Sequence, residues 1–235
     1  MNSSKLEFAI SQFKSIMEEA PSPENGWSFE YEGIIDQNFK DSTMKIYNKT
    51  ENLKCGFTTR VDAVLRGVKA KNLVLMTRDI TYRKKAKHPP KKIKLIENNK
   101  NTDIIYVELD LPHPLINRDL VQKRLFVGNK EDPELVKELG LFDWDHEYHV
   151  TLIEPTQRLD YPPVEPPIRG QNIHYMLLEE DPNDESVLKV RLVMSTDLSG
   201  DVPSVFMNLI RQNAPYQLMR SIMTSYSQFF GKSKR

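Results

Sequence analysis

The ten residues Met194-Ser-Thr-Asp-Leu-Ser-Gly-Asp-Val-Pro203 constrain the fold more than any other stretch of this chain. A strand-like run from Val187 to Met194 leads into the turn-forming group Asp197, Leu198, Ser199 and Gly200. Pro203 then stands where a first helical turn tolerates a residue without an N–H. Behind it apolar residues recur at helical spacing: Val205, Phe206, Leu209 and Ile210, then Tyr216, Met219, Ile222, Met223, Tyr226, Phe229 and Phe230. A sheet thus hands the chain to an unusually apolar terminal helix, expected over about 202–230. That helix either closes a core or lids a cavity, and the choice decides the function.

The 235 residues are enough to bury a sizeable core, even one with a hole in it. Lys plus Arg and Asp plus Glu both number 33, so bulk charge gives no case for a nucleic-acid partner. The single Cys55 excludes an internal disulfide framework and suits a reducing compartment. No His/Cys cluster has zinc-ligand spacing, and no secretory signal or membrane-spanning stretch is seen. The expectation is a cytoplasmic protein.

Leu6, Ala9, Ile10, Phe13, Ile16 and Met17 form one face of a first helix, expected over about 5–19 and stopped by Pro21 and Pro23. Trp27–Tyr31 and Met44–Asn48 alternate as half-buried strands do. Residues 55–68 read as a longer strand, with a helical option for Val61–Arg66. Asn72–Lys87 reads as helix until Pro89-Pro90. Strand candidates then follow closely at 92–97, 103–109, 120–127, 147–154, 173–178 and 187–194. Their short connections favour antiparallel hairpins. Pro133–Leu139 reads as a short helix, and Pro155–Pro167 as a Pro-rich loop. With no repeat and no domain boundary, residues 1–235 read as one α+β domain, a curved antiparallel sheet gripping a helix. Such a sheet encloses either side chains or a ligand.

Four stretches, in order, resemble the steroidogenic-acute-regulatory-related lipid transfer (START) family. Trp27 with Met44-Lys-Ile-Tyr47 is similar to its opening Trp and first strands. Asn117-Arg-Asp-Leu-Val121 with Arg124 is similar to its Arg-Asp strand, and Pro163–Gly170 to its Pro-rich segment ending Ile-Arg-Gly. Ser195–Pro203 is similar to its approach to the lid helix. Two features depart from the pattern: the family's Trp after the middle helix is missing, and residues 131–144 lengthen one connection. The resemblance implies a helix-grip fold whose sheet and C-terminal helix enclose an apolar tunnel.

By that resemblance Glu108 and Arg124 pair inside the tunnel and meet the ligand's polar end; the plainer alternative is a surface ion pair across two strands. Arg118 with Asp119 is a ligand contact or, more simply, an ion pair fixing the strand's start. Arg83 matches an Arg that meets phosphate in phosphatidylcholine-specific members, but Lys87 stands where they carry an acid. A second cation cannot counter a quaternary ammonium, which disfavours strict choline selection. Phe206, Met207 and Ile210 line the lid. Lys84, Lys85, Lys91 and Lys92, within a basic run from Arg83 to Lys94, and the apolar loop residues Leu115 and Ile116 are candidate membrane contacts. His146 and His149 read as a surface pair.

The function expected is therefore non-enzymatic binding and transfer of a phospholipid or sterol. The protein would act as a monomer without cofactor or metal, meeting membranes transiently. The alternatives are a helix-grip enzyme using Glu108 as base on a hydrophobic substrate, and a lipid-sensing interaction module.

Overall fold

The structure, a computed structural model, describes residues 3–49, 56–87, 89–111, 113–163 and 166–231; Cys55 and His88 lie outside them. Helix α1 (Ser3–Glu18) precedes strands β1 (Trp27–Ile34), β2 (Thr43–Lys49) and β3 (Gly56–Arg66). In β2 the alternation holds, with Met44, Ile46 and Asn48 buried on one face. The 61–66 segment is strand: Val61, Ala63 and Leu65 share the buried face at period two. Gly67, at φ +71, then turns the chain in a conformation that favours glycine.

The helix expected over 72–87 is two helices, α2 (Ala70–Arg78) and α3 (Ile80–Lys85). Asp79 separates them with an extended backbone, and its carboxylate accepts from the Thr81 N–H at 2.8 Å to cap α3. Strands β4 (Lys92–Asn98), β5 (Thr102–Leu109) and β6 (Arg118–Gly128) follow. Then come α4 (Pro133–Glu138), β7 (Tyr148–Pro155), the two-residue β8 (Ile168–Arg169), β9 (Gln171–Glu180), β10 (Val187–Asp197) and helix α5 (Ser204–Phe230).

The strands form one curved sheet in the order β1-β2-β3-β10-β9-β7-β6-β5-β4. Every pairing on that path is antiparallel, and β8 runs parallel beside β6. On the inner face Leu65, Met176, Leu178 and Leu192 pack with Met219, Met223 and Tyr226 of α5. On the outer face Phe13 and Met17 of α1 pack with Tyr148, Leu152, Tyr175 and Leu177. The inserted connection joins this outer layer. Phe142 lies 5.8 Å from the Phe13 ring, Trp144 stacks on Phe142 at 4.2 Å, and the Tyr148 hydroxyl donates to the Phe142 carbonyl at 2.6 Å.

Helix α5 is two functional halves. Pro215, Met219, Met223, Ser225 and Tyr226 are buried, each large apolar one contributing about 1.5–3 kcal/mol, whereas no residue from 204 to 214 is buried. The far end is tied down further. The Tyr226 hydroxyl accepts from the Lys69 N–H at 3.0 Å, and Tyr82 packs on Phe229 and Phe230 at 4.9 and 5.6 Å. Pro215 sits at the divide. It has no N–H to give the Arg211 carbonyl, so the helix is weakest where its packed half begins. The lid expected over 202–230 thus reduces to 204–214, the remainder being core.

Candidate functional site

The register places one residue from each of seven strands in a single row across the inner face: Asn48, Thr59, Met194, His174, Ile153, Arg124 and Asp103. Most of this row is polar, though apolar residues surround it. Two residues along β9 and β6, Asn172 and Gln122 extend the polar strip. Period two explains the grouping, because polar residues at i and i+2 on neighbouring strands share a face.

At one end of the row Asp103 and Arg124 are fully buried and joined by two bonds, Nε to Oδ1 at 2.6 Å and Nη2 to Oδ2 at 2.7 Å. Arg124 also donates to the carbonyls of Thr77 and Arg78, both at 2.8 Å, satisfying the C-terminal end of α2. Both groups are thereby occupied with each other and with the helix above them.

Arg83 and His174 differ from these. Each is surrounded by protein, yet each keeps a partly accessible surface, as a side chain lining an interior space does. Burial, with the Arg124 charge beside it, lowers the Arg83 guanidinium to about 10. Burial, with Arg83 beside it, holds the His174 imidazole down to about 4, so it is neutral near pH 7. Above this space lies the first half of α5. Phe206, Met207 and Ile210 are half-buried there, and the Arg211 Nε is buried without a hydrogen-bond partner.

Glu108 requires a correction. It lies an odd number of residues from Asp103 and so on the outer face, where it pairs with Lys91 at 3.0 Å and accepts from Asn117 Nδ2 at 3.4 Å. The expected Glu108–Arg124 pair does not form; Asp103 is the partner. Nor do Arg118 and Asp119 pair, since adjacent strand residues face opposite ways. Asp119 takes two bonds from Arg169 at 2.7 and 2.9 Å. Arg118, fully buried, donates to the carbonyls of Ile116, Leu198 and Ser199. It thereby staples the β5–β6 loop to the segment that launches α5.

The basic run does not form one face. Arg83 turns inward, while Lys84 and Lys85 are exposed beside the last turn of α5, where Gln228 donates to the Lys85 carbonyl at 3.2 Å. Lys91 pairs with Glu108, and Lys92 lies 5.6 Å over the Tyr106 ring. Leu115 is half-buried and Ile116 is 51% exposed, on the side of the molecule where Val205 and Leu209 of the lid are 76% and 54% exposed. His146 and His149 are not a pair. His146 stacks on Trp144 at 5.1 Å, and buried His149 contacts Glu147 at 3.2 Å and faces Glu131 at 3.9 Å. Glu131, Glu147 and His149 bring ligand-type atoms within 4.8 Å of one another, a grouping with one imidazole and two carboxylates. Gly128 makes room for it, because a Cβ there would meet the Glu131 carboxylate at 2.1 Å.

The sequence reading missed Asp103, Gln122, Asn172 and His174. The signal was present: each sits at the same parity as core residues of its strand, where an unpaired polar side chain is costly.

No protein-family model matches this chain, and no curated protein matches it either. Solved structures do. Human StAR-related lipid transfer protein 5 is similar with a TM-score of 0.70 at 15% identity, covering 96% of this chain and 97% of that one. Human STARD10 gives 0.66 at 17% identity over 92% and 79%. A STAR-related lipid transfer protein from Xanthomonas axonopodis gives 0.62 at 17% identity over 86% and 99%. With its curved sheet closed around a C-terminal helix, the chain has the START-like, helix-grip fold.

Proposed function

We propose that this protein binds a lipid in the space between the inner sheet face and the first half of α5, and carries it between membranes without chemical change. One observation carries the reading: Arg83 and His174 are enclosed by protein yet accessible, at the polar end of an otherwise apolar interior. Burying acyl chains there stabilises the lipid by about 0.8 kcal/mol per CH₂ relative to water. Extraction from a bilayer exchanges one apolar environment for another, so the gain belongs to the transit through water. The solved structures with this fold that are named as lipid transfer proteins support the assignment. The enzyme alternative loses its base, because Glu108 points away from the interior.

Exchange requires an opening, and 204–214 is the part of α5 free to move about Pro215. Arg118 couples that segment to the Ile116 loop, so the exposed Ile116, Val205 and Leu209 meet a bilayer together. Among the described residues no helix is long and apolar enough to cross a membrane, and the contact proposed is peripheral and transient. Transfer of a fluorescent phospholipid or sterol between vesicles tests this. The wild-type chain should accelerate it, and Ile116→Ser with Leu209→Ser should slow it without reducing bound lipid. A chain that takes up lipid but never delivers it would favour a lipid-sensing module instead.

A further inference from the structure

We propose that the interior site selects lipids whose phosphate headgroup carries net negative charge over zwitterionic ones, with Arg83 as the counter-charge and His174 as a second donor. This rests on the lipid-binding reading above and names the ligand class of that same site.

The argument is a count of charges and bonds. Asp103 is the one carboxylate in the polar row, and both its oxygens are taken by Arg124. Arg83 makes no hydrogen bond and no ion pair among the described residues, and its nearest like charge is Arg124. The polar end therefore carries one uncompensated cation with five N–H donors inside protein. A guanidinium so placed is costly unless an anion joins it.

The neighbouring hydrogen bonds have a direction. Gln122 Nε2 donates to Asn172 Oδ1 at 2.8 Å, which leaves the Asn172 amide nitrogen to donate to His174 Nε2 at 3.0 Å. An amide N–H₂ only donates, so His174 Nε2 accepts and its proton sits on Nδ1. That Nδ1–H has no partner among the described residues. The relay thus ends in a free donor within electrostatic reach of Arg83. Two sets of unfilled donors with no free carboxylate suit a phosphate. They give an ammonium nothing to bind, so a zwitterionic headgroup would bury its own cation unpaired.

The test separates selection from membrane attraction by using one vesicle composition throughout. Lipid-free full-length protein is incubated with vesicles holding equal amounts of phosphatidic acid, phosphatidylglycerol and phosphatidylcholine. The lipids in the recovered complex are then quantified by native mass spectrometry. Wild type should hold the anionic lipids over phosphatidylcholine by about tenfold. Arg83→Gln should bring the ratio near one, Arg83→Lys should keep most of it, and His174→Leu should reduce it less than Arg83→Gln. Arg83→Leu should also melt higher than wild type when both are lipid-free, since an unpaired buried cation has been removed. Equal recovery of all three lipids by wild type would overturn the selection while leaving lipid binding intact. Recovery of no lipid would instead defeat the lipid-binding reading. If millimolar glycerol phosphate displaced the lipid fully, the site would be one for free phosphate esters and the lipid assignment would fall.

Discussion

Removing Arg124 should unfold the protein's inner frame without emptying its site. Arg124→Leu leaves the Asp103 carboxylate, 2% exposed and formerly held by two short bonds, without a cation. Breaking a fully buried pair in this way costs about 3–5 kcal/mol, with no solvent screening to reduce it. The Thr77 and Arg78 carbonyls lose their donors as well, adding about 1 kcal/mol each at most. For a chain of this size 1 kcal/mol moves the melting temperature by about 2–4 °C, so a drop of roughly 6–20 °C is expected. Urea unfolding at neutral pH is the assay, with Arg124→Leu/Asp103→Leu beside the single variant. The double variant should recover about half of the loss, the part due to the stranded carboxylate rather than to the α2 carbonyls. The deficit of the single variant should also shrink in acid, where its Asp103 becomes protonated. Lipid uptake below the melting point should survive, because Arg124 is already saturated. A single variant within about 1 kcal/mol of wild type, or a double variant no more stable than the single one, would refute the account.

Three further outcomes follow from named contacts. Pro215→Ala restores the missing bond to the Arg211 carbonyl and should raise stability while slowing lipid exchange measured by stopped flow; unchanged exchange would remove Pro215 as the hinge. His174, held at about 4 against an ordinary 6.5, faces Arg83 of α3, Arg124 of β6 and Asp103 of β5. Its contribution to stability is full above pH 6.5 and is lost as pH falls toward 4, where the unfolded chain binds the extra proton. His174→Gln should flatten the urea midpoint across that window, and equal slopes in both proteins would contradict the buried placement. Because the basic run is divided, replacing Lys84 and Lys85 with Gln should lower the salt sensitivity of transfer to anionic vesicles only in part, an ordinary solvated surface being the result if nothing changes.

Much of the frame was legible because it depends on local rules. The alternation in β2 and the Pro203 start of the last helix are short-range signals, and both elements stand close to their expected bounds. The resemblance at Asn117–Arg124 pointed to the right strand. Partners were harder, because they depend on register. Glu108 and Asp103 are both acids on β5 and both plausible mates for Arg124, yet their odd separation puts them on opposite faces. Only the β5–β6 pairing decides between them. The break at Asp79 and the division of α5 at Pro215 were visible as residue types. Their consequence depended on which turns the sheet buries, and the apolar spacing alone ran through both.

The most direct test of a lipid carrier is what it carries. The full-length protein, expressed in cells and purified gently, is examined by native mass spectrometry and its bound small molecules are extracted for lipid analysis. The account predicts a complex heavier than the chain by the mass of one lipid, lost when the protein is denatured. A chain recovered at its bare mass that also takes up no phospholipid or sterol from vesicles would contradict it.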